Sequence, residues 1–354
     1  MRKPASPKVA TFVAPRAPRA LLAPLALLAL SLGAACSNEP DYSYDFGPFT
    51  VASGDEMMSD CVQISLNNTE PVYVSSVELT TGPGFHHSNW LWVPEHIFAG
   101  EDGTFKCRDR GYSEAVAAVF GGVLFAQSTQ VPHEVQAFPP GIAVKLPPKT
   151  KLIAQIHLLN PTDAPLKLRP NITLAMLPEA EVQTKLAGIS FQNQGLYLPP
   201  NRASRFSVEC DLAERHQALL GSDPDFRIYY GLAHYHELGT RLDLEAVRPD
   251  GTASMVYSTA ALAGDTLGGP ITPAFDMTGY TKLRFSCDFY NPRAEVVEWG
   301  IGDQEMCVFL AFTDSEYNWG GGVNEPTPPQ TETEVGNAIH YTSTCAVFAT
   351  DARH

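Results

Sequence analysis

Basic charge is scarce in this chain. Its 354 residues hold 24 Lys and Arg against 39 Asp and Glu, a formal net charge of −15. Phosphate binding needs clustered cations, so the composition excludes nucleic acid as a partner. Charge of either sign is also sparse, at 18%, while apolar residues reach 44%. That excludes a solvated, disordered chain and supplies material for real cores. No long stretch carries helical periodicity. Beyond the N-terminus, no run is long and apolar enough to cross a membrane. There is no Cys-x-x-Cys pair for a zinc knuckle. A serine elbow, a dinucleotide-binding glycine fingerprint and a P-loop are all missing.

Proline (29) and glycine (27) are plentiful and dispersed, the mark of many short strands joined by turns. Stretches such as CVQISL, VYVSSVELTT, KLIAQIHLL, FRIYYGLAHYHEL and KLRFSCDFYN alternate or concentrate β-formers between Pro, Gly, Asn and Asp. SEAVAAVFGG is the one helical turn expected. NWGGGVNEPTPPQTETEVGN reads as a loop before a last strand, STCAVFA. The organisation expected is all-β, two tandem β-sandwich domains at residues 45–183 and 184–354, with the seam in EAEVQTKLAG.

The first 36 residues read as an export signal. Arg2, Lys3, Lys8, Arg16 and Arg19 precede a short apolar run that Pro24 interrupts, and SLGAAC resembles a bacterial lipoprotein box with Cys36 as the lipidated residue. Residues 37–44 then form a tether. The localisation expected is the bacterial cell envelope, with a lipid anchor at the membrane surface, or secretion. In such an oxidising compartment the six remaining cysteines, Cys61, Cys107, Cys210, Cys287, Cys307 and Cys345, make three disulfides of open connectivity.

Five of the ten histidines sit in three strand-like motifs. His234 and His236, in LAHYHEL, are two apart; on a strand both point to one face and offer half of a copper or zinc site. Taken alone, such a pair is more often a polar strand face. His86 and His87, in GPGFHHSN, are neighbours and share a metal only at a bulge or strand end; Gly82, Pro83 and Gly84 supply irregular backbone. His157, in QIHLLNP, lies in an apolar strand. Met306 precedes Cys307 in GDQEMCVF, and a thioether beside imidazoles favours Cu(I). His96, His133, His216 and His340 read as surface residues.

These ordered segments, FHHSN, FPPGIAVKLPPKTKLIAQIHLLNP, LAHYHELGTRL and KLRFSCDFYNP…GDQEMCVF, resemble the copper type II, ascorbate-dependent monooxygenases. That group contains dopamine β-hydroxylase and peptidylglycine α-hydroxylating monooxygenase. The resemblance implies two jelly-roll sandwiches with a solvent-filled gap between two mononuclear copper sites. His86, His87 and His157 would hold the electron-supplying copper; His234, His236 and Met306 would hold the oxygen-binding, catalytic one. O2 and ascorbate would be co-substrates. The resemblance also implies the links Cys61–Cys107, Cys287–Cys307 and Cys210–Cys345.

The substrate does not carry over. The peptidylglycine branch has an arginine where this chain has Leu232, and an asparagine and a tyrosine where it has Val308 and Leu310. Without them a substrate carboxylate has no anchor, so the substrate expected is a small apolar or aromatic molecule. Glu237 could face a cationic amine, and Trp90, Trp92 and Tyr235 could line the gap or pack in a core. Two other functions fit the same residues: a non-catalytic copper-binding or ligand-binding surface lipoprotein, and a carbohydrate-binding double jelly roll.

Overall fold

Short runs of β-formers punctuated by Pro and Gly become strands almost throughout. The computed structural model describes residues 42–127, 131–300, 302–324 and 331–352, all within one compact unit. In the N-terminal half, a five-stranded sheet runs Gly103–Lys106, Glu56–Ser65, Thr150–Leu159, Phe85–Pro94 and Gly122–Ala126 in spatial order. It packs on Tyr42–Asp45, Asn171–Leu177, Val72–Thr80 and Ile142–Leu146, which form one end of an eleven-stranded sheet. Val62, Ile64, Trp90, Leu152 and Ile156 meet Val74, Val77, Leu79, Val144 and Ile172 in the buried layer between them.

The C-terminal half repeats this plan. A six-stranded sheet runs Ala253–Thr259, Gly239–Val247, Lys282–Asn291, Arg202–Asp211, Ala338–Thr344 and Thr331–Val335. Its Phe206, Val208, Leu242, Leu244, Leu283 and Phe285 pack on Ile189, Phe191, Ala233, Phe309 and Ala311 of the large sheet. The chain is thus an all-β sandwich, the class expected.

One sheet serves both halves. Thr184–Asn193 pairs in parallel with Ile142–Leu146 and antiparallel with Val308–Thr313. Leu186 of this strand belongs to the first core and Ile189 to the second. Tyr229, Tyr230, Leu232, Leu310 and Phe312 from the second half bury in the first core. Phe138 meets the rings of Tyr230 and Phe312 edge-on, at 5.9 and 5.0 Å.

Cys61 pairs with Cys107, Cys210 with Cys345 and Cys287 with Cys307. Three such bonds place the folded chain outside the reducing cytosol. Among the described residues no helix is long and apolar enough to cross a membrane. The export signal and Cys36 lie outside the described residues.

The structure corrects several expectations. The tether ends early, because Tyr42–Asp45 pairs with Asn171–Leu177 and Asn171 donates to Asp45 at 2.8 Å. NWGGGV is no loop: Tyr317–Val323 is a strand, and so is Thr331–Val335. Its glycines serve close approach rather than turning. A Cβ at Gly322 would stand 2.5 Å from the Gln192 carbonyl oxygen, and one at Gly320 would strike the Phe348 ring. A helix at Glu114–Phe120 fits the expected turn, but a second, Ala213–Leu220, carries no strong sequence signal. His216 on that helix is buried, not exposed; it lies parallel to Trp319, with ring centroids 5.8 Å apart.

Gly322→Ala should lower stability by about 1–3 kcal/mol, because backbone must move to admit the methyl group. Gly320→Ala should cost less, since Phe348 is an exposed ring that can swing aside. Urea unfolding of both variants checks the order.

Candidate metal centre

The first three histidines meet through a break in strand register. His87 lies directly opposite His157, but the next pair is Leu158 with Phe85, so His86 is an extra residue in its strand. A bulge of this kind re-aims side chains. It lets neighbouring imidazoles turn to one side, which a regular strand forbids. His86 Nδ1 and His87 Nδ1 lie 2.9 Å apart. The His157 ring centroid is 4.3 Å from that of His86 and 4.9 Å from that of His87. One nitrogen from each ring falls within 4.8 Å of the others, a spacing able to hold a metal ion.

The second pair is built differently from expectation. The strand Arg227–His234 ends at His234, so His236 lies beyond it instead of on the same strand face. A buried carboxylate takes over from the sheet. Glu305, 1% exposed, accepts the N–H of His236 at 2.9 Å, of Leu238 at 2.7 Å and of Met306 at 3.3 Å. Gly239 lets the chain pass tightly, since a Cβ there would stand 2.2 Å from the Tyr235 ring. Met306 is half-buried and tied by the same carboxylate to the His236 segment. The Cys287–Cys307 bond fixes the residue that follows it.

All five imidazoles gather in one place. His234 and His236 have ring centroids 5.3 Å apart. His87 lies 5.2 Å from His234 and 6.4 Å from His236, and His86 lies 6.2 Å from His236. The solvent-filled gap implied by the resemblance is therefore absent between these rings. The shared sheet and the burial of Tyr230, Leu232 and Phe312 in the first core draw the halves together.

The donor set suits a metal. His157 Nε2 donates to Glu56 Oε1 at 2.6 Å, and its buried Nδ1 has no hydrogen-bond partner. His236 Nδ1 donates to the Gln304 carbonyl at 2.8 Å, and its buried Nε2 has none. Each ring is thus fixed in one tautomer with an unpaired lone pair, the state a ligating imidazole needs. Burial, reinforced by the neighbouring imidazoles, pushes His86 down to about 3 and His87 well below its ordinary value. Burial also lowers His157 against the pull of Glu56, and His236 against the Gln304 carbonyl. The rings stay neutral, as metal binding requires.

Around this cluster, Leu232 and Leu310 are buried in the first core. A cleft of about 300 Å³ opens beside His86, walled by Pro83, Phe85, Pro132, Leu159 and Pro161, with no Lys or Arg in its lining. Trp90, Trp92 and Tyr235 are core residues, and Glu237 is exposed. Sequence reasoning missed Glu56 and Glu305. Position beside Met306 was the only signal for Glu305; Glu56, 101 residues from its histidine, gave none.

No protein-family model and no curated protein matches the chain. Solved structures match at a distance. PNGase F, a glycosylasparaginase from Flavobacterium meningosepticum, is 8% identical over 88% of this chain and 100% of its own, with a TM-score of 0.36. PBSX exported protein XepA is 7% identical over 77% and 86%, with a TM-score of 0.20. A triple jelly-roll protein of an archaeal virus is 11% identical over 76% and 58%, also with a TM-score of 0.20. Likenesses this remote carry no functional argument.

Metal-free protein should lose stability as pH falls below 6.5. Depressed imidazoles favour the native state only while neutral, so the unfolded chain takes up protons that the native chain refuses. Glu305 acts oppositely: burial raises it to about 7, so it favours the native state as pH falls from there toward 4.5. Four imidazoles outweigh one carboxyl. Urea unfolding with a chelator at about pH 8 and about pH 5 reads the difference; equal midpoints would count against the neutral cluster.

Proposed function

We propose that this chain is a copper-dependent monooxygenase that hydroxylates an activated C–H bond. O2 and a one-electron donor such as ascorbate are its co-substrates. The observation that carries the reading is the cluster of five imidazoles, two of them buried with a lone pair that has no protein partner. Copper, when bound, supplies the one-electron steps that the side chains of this site lack. One oxygen atom ends in the substrate hydroxyl and the other in water, with two electrons from the donor.

The chain's own residues divide the work. His86, His87 and His157 give an all-imidazole set suited to cycling between Cu(II) and Cu(I). His234 and His236, with the Met306 thioether, bias the second copper toward Cu(I). Glu305 holds the His236 and Met306 segments in fixed relation. The largely apolar cleft that His86 lines, with no Lys or Arg in it, supports a small apolar or aromatic substrate. Lipidation of Cys36 would tether the enzyme to the bacterial cell envelope.

The test loads the purified chain with copper, adds ascorbate and follows O2 uptake against a panel of phenethylamines and small aromatics. Binding of two coppers with product above the metal-free control is expected. Two coppers without product would instead favour a non-catalytic copper-binding lipoprotein. Met306→His should leave copper bound at the first set while lowering turnover by about 10-fold or more, since even a ligand's outer partners are worth that much. Unchanged turnover would remove Met306 from the site.

A further inference from the structure

Glu56 borders the imidazole cluster on the side of His157. It opens the strand Glu56–Ser65, opposite Leu159 on the His157 strand. Its Oε1 lies 2.6 Å from His157 Nε2. An ionised carboxylate only accepts hydrogen bonds, so the imidazole carries its proton on Nε2 and its lone pair on Nδ1. That Nδ1 is the buried atom without a partner. The Glu56 side chain is 37% exposed, while that of His157 is 2% exposed. Solvent therefore reaches the carboxylate from one side and the buried ring from none. On its other flank Glu56 faces the loop leading to Met306: a Cβ at Gly302 would stand 3.7 Å from Glu56 Oε2. A surface ion pair alone is worth little and would leave the orphaned Nδ1 unexplained.

We propose that Glu56 is a positioning residue for the metal held by His86, His87 and His157. Its carboxylate locks His157 in the tautomer that presents Nδ1 and makes the ring a stronger donor. The negative charge, one imidazole away from the metal, favours its higher oxidation state. The residue touches neither substrate nor metal. This inference rests on the copper reading above.

The experiment measures Cu(II) and Cu(I) affinities by chelator competition, and the reduction potentials of both coppers, on the full chain. Glu56→Gln should weaken one of the two sites by about 10–100-fold, leave the other unchanged and raise the potential of the weakened site. His157→Ala should weaken the same site, and adding Glu56→Gln to it should change nothing further. If Glu56→Gln merely disturbed the fold, it would weaken both sites and would add to His157→Ala; that result overturns the proposal. Unaltered affinity and potential in Glu56→Gln, with two coppers bound by the wild type, overturns this proposal alone. A wild-type chain that takes up no copper overturns the copper reading and this proposal together.

Discussion

Burying imidazoles side by side is the constraint on which the structure turns. A buried polar nitrogen without a partner costs roughly 1–3 kcal/mol, and charging neighbouring rings would add repulsion in a medium of low dielectric. The protein meets half of this demand. Glu56 and the Gln304 carbonyl each take one nitrogen of a ring. The opposite nitrogens of His157 and His236 are left bare. A core built only for stability would fill these positions with apolar side chains. Neutral rings with free lone pairs have a use when a cation takes them.

The framework keeps those rings from relaxing apart. The bulge at His86 depends on register held along nearly the whole of two ten-residue strands. The His236 turn depends on three N–H donors meeting one carboxylate. The disulfides close loops with sequence separations of 46, 135 and 20 residues, each worth about 3–5 kcal/mol in the chain-entropy account. Two of them sit beside the ligand segments: Cys61 is on the strand that Glu56 opens, and Cys307 follows Met306. Rigidity is thus concentrated where ligand geometry has to be held.

Sequence pattern made the strand content legible, because Val, Ile and Leu runs bounded by Pro and Gly have few other solutions. The five histidines were legible as motifs, since spacing alone limits which side of a strand each can face. Their closeness was not. It depends on the pairing of Thr184–Asn193 with both halves and on Tyr230 and Phe312 entering the first core, contacts remote in sequence. Gly320–Gly322 misled for a related reason: glycine signals a turn locally, but here it admits Phe348 and the Gln192 carbonyl. Glu56 and Glu305 were hidden because nothing local sets them apart from ordinary surface carboxylates until their partners His157 and His236, 101 and 69 residues away, are known.

X-ray absorption at the copper edge of the Cu(I)-loaded protein tests the account most directly. Two imidazole-bound coppers are predicted, with a sulfur neighbour that disappears in Met306→Leu while the imidazole signal remains. Copper spectra lacking imidazole scattering, or a sulfur signal untouched by Met306→Leu, would contradict it.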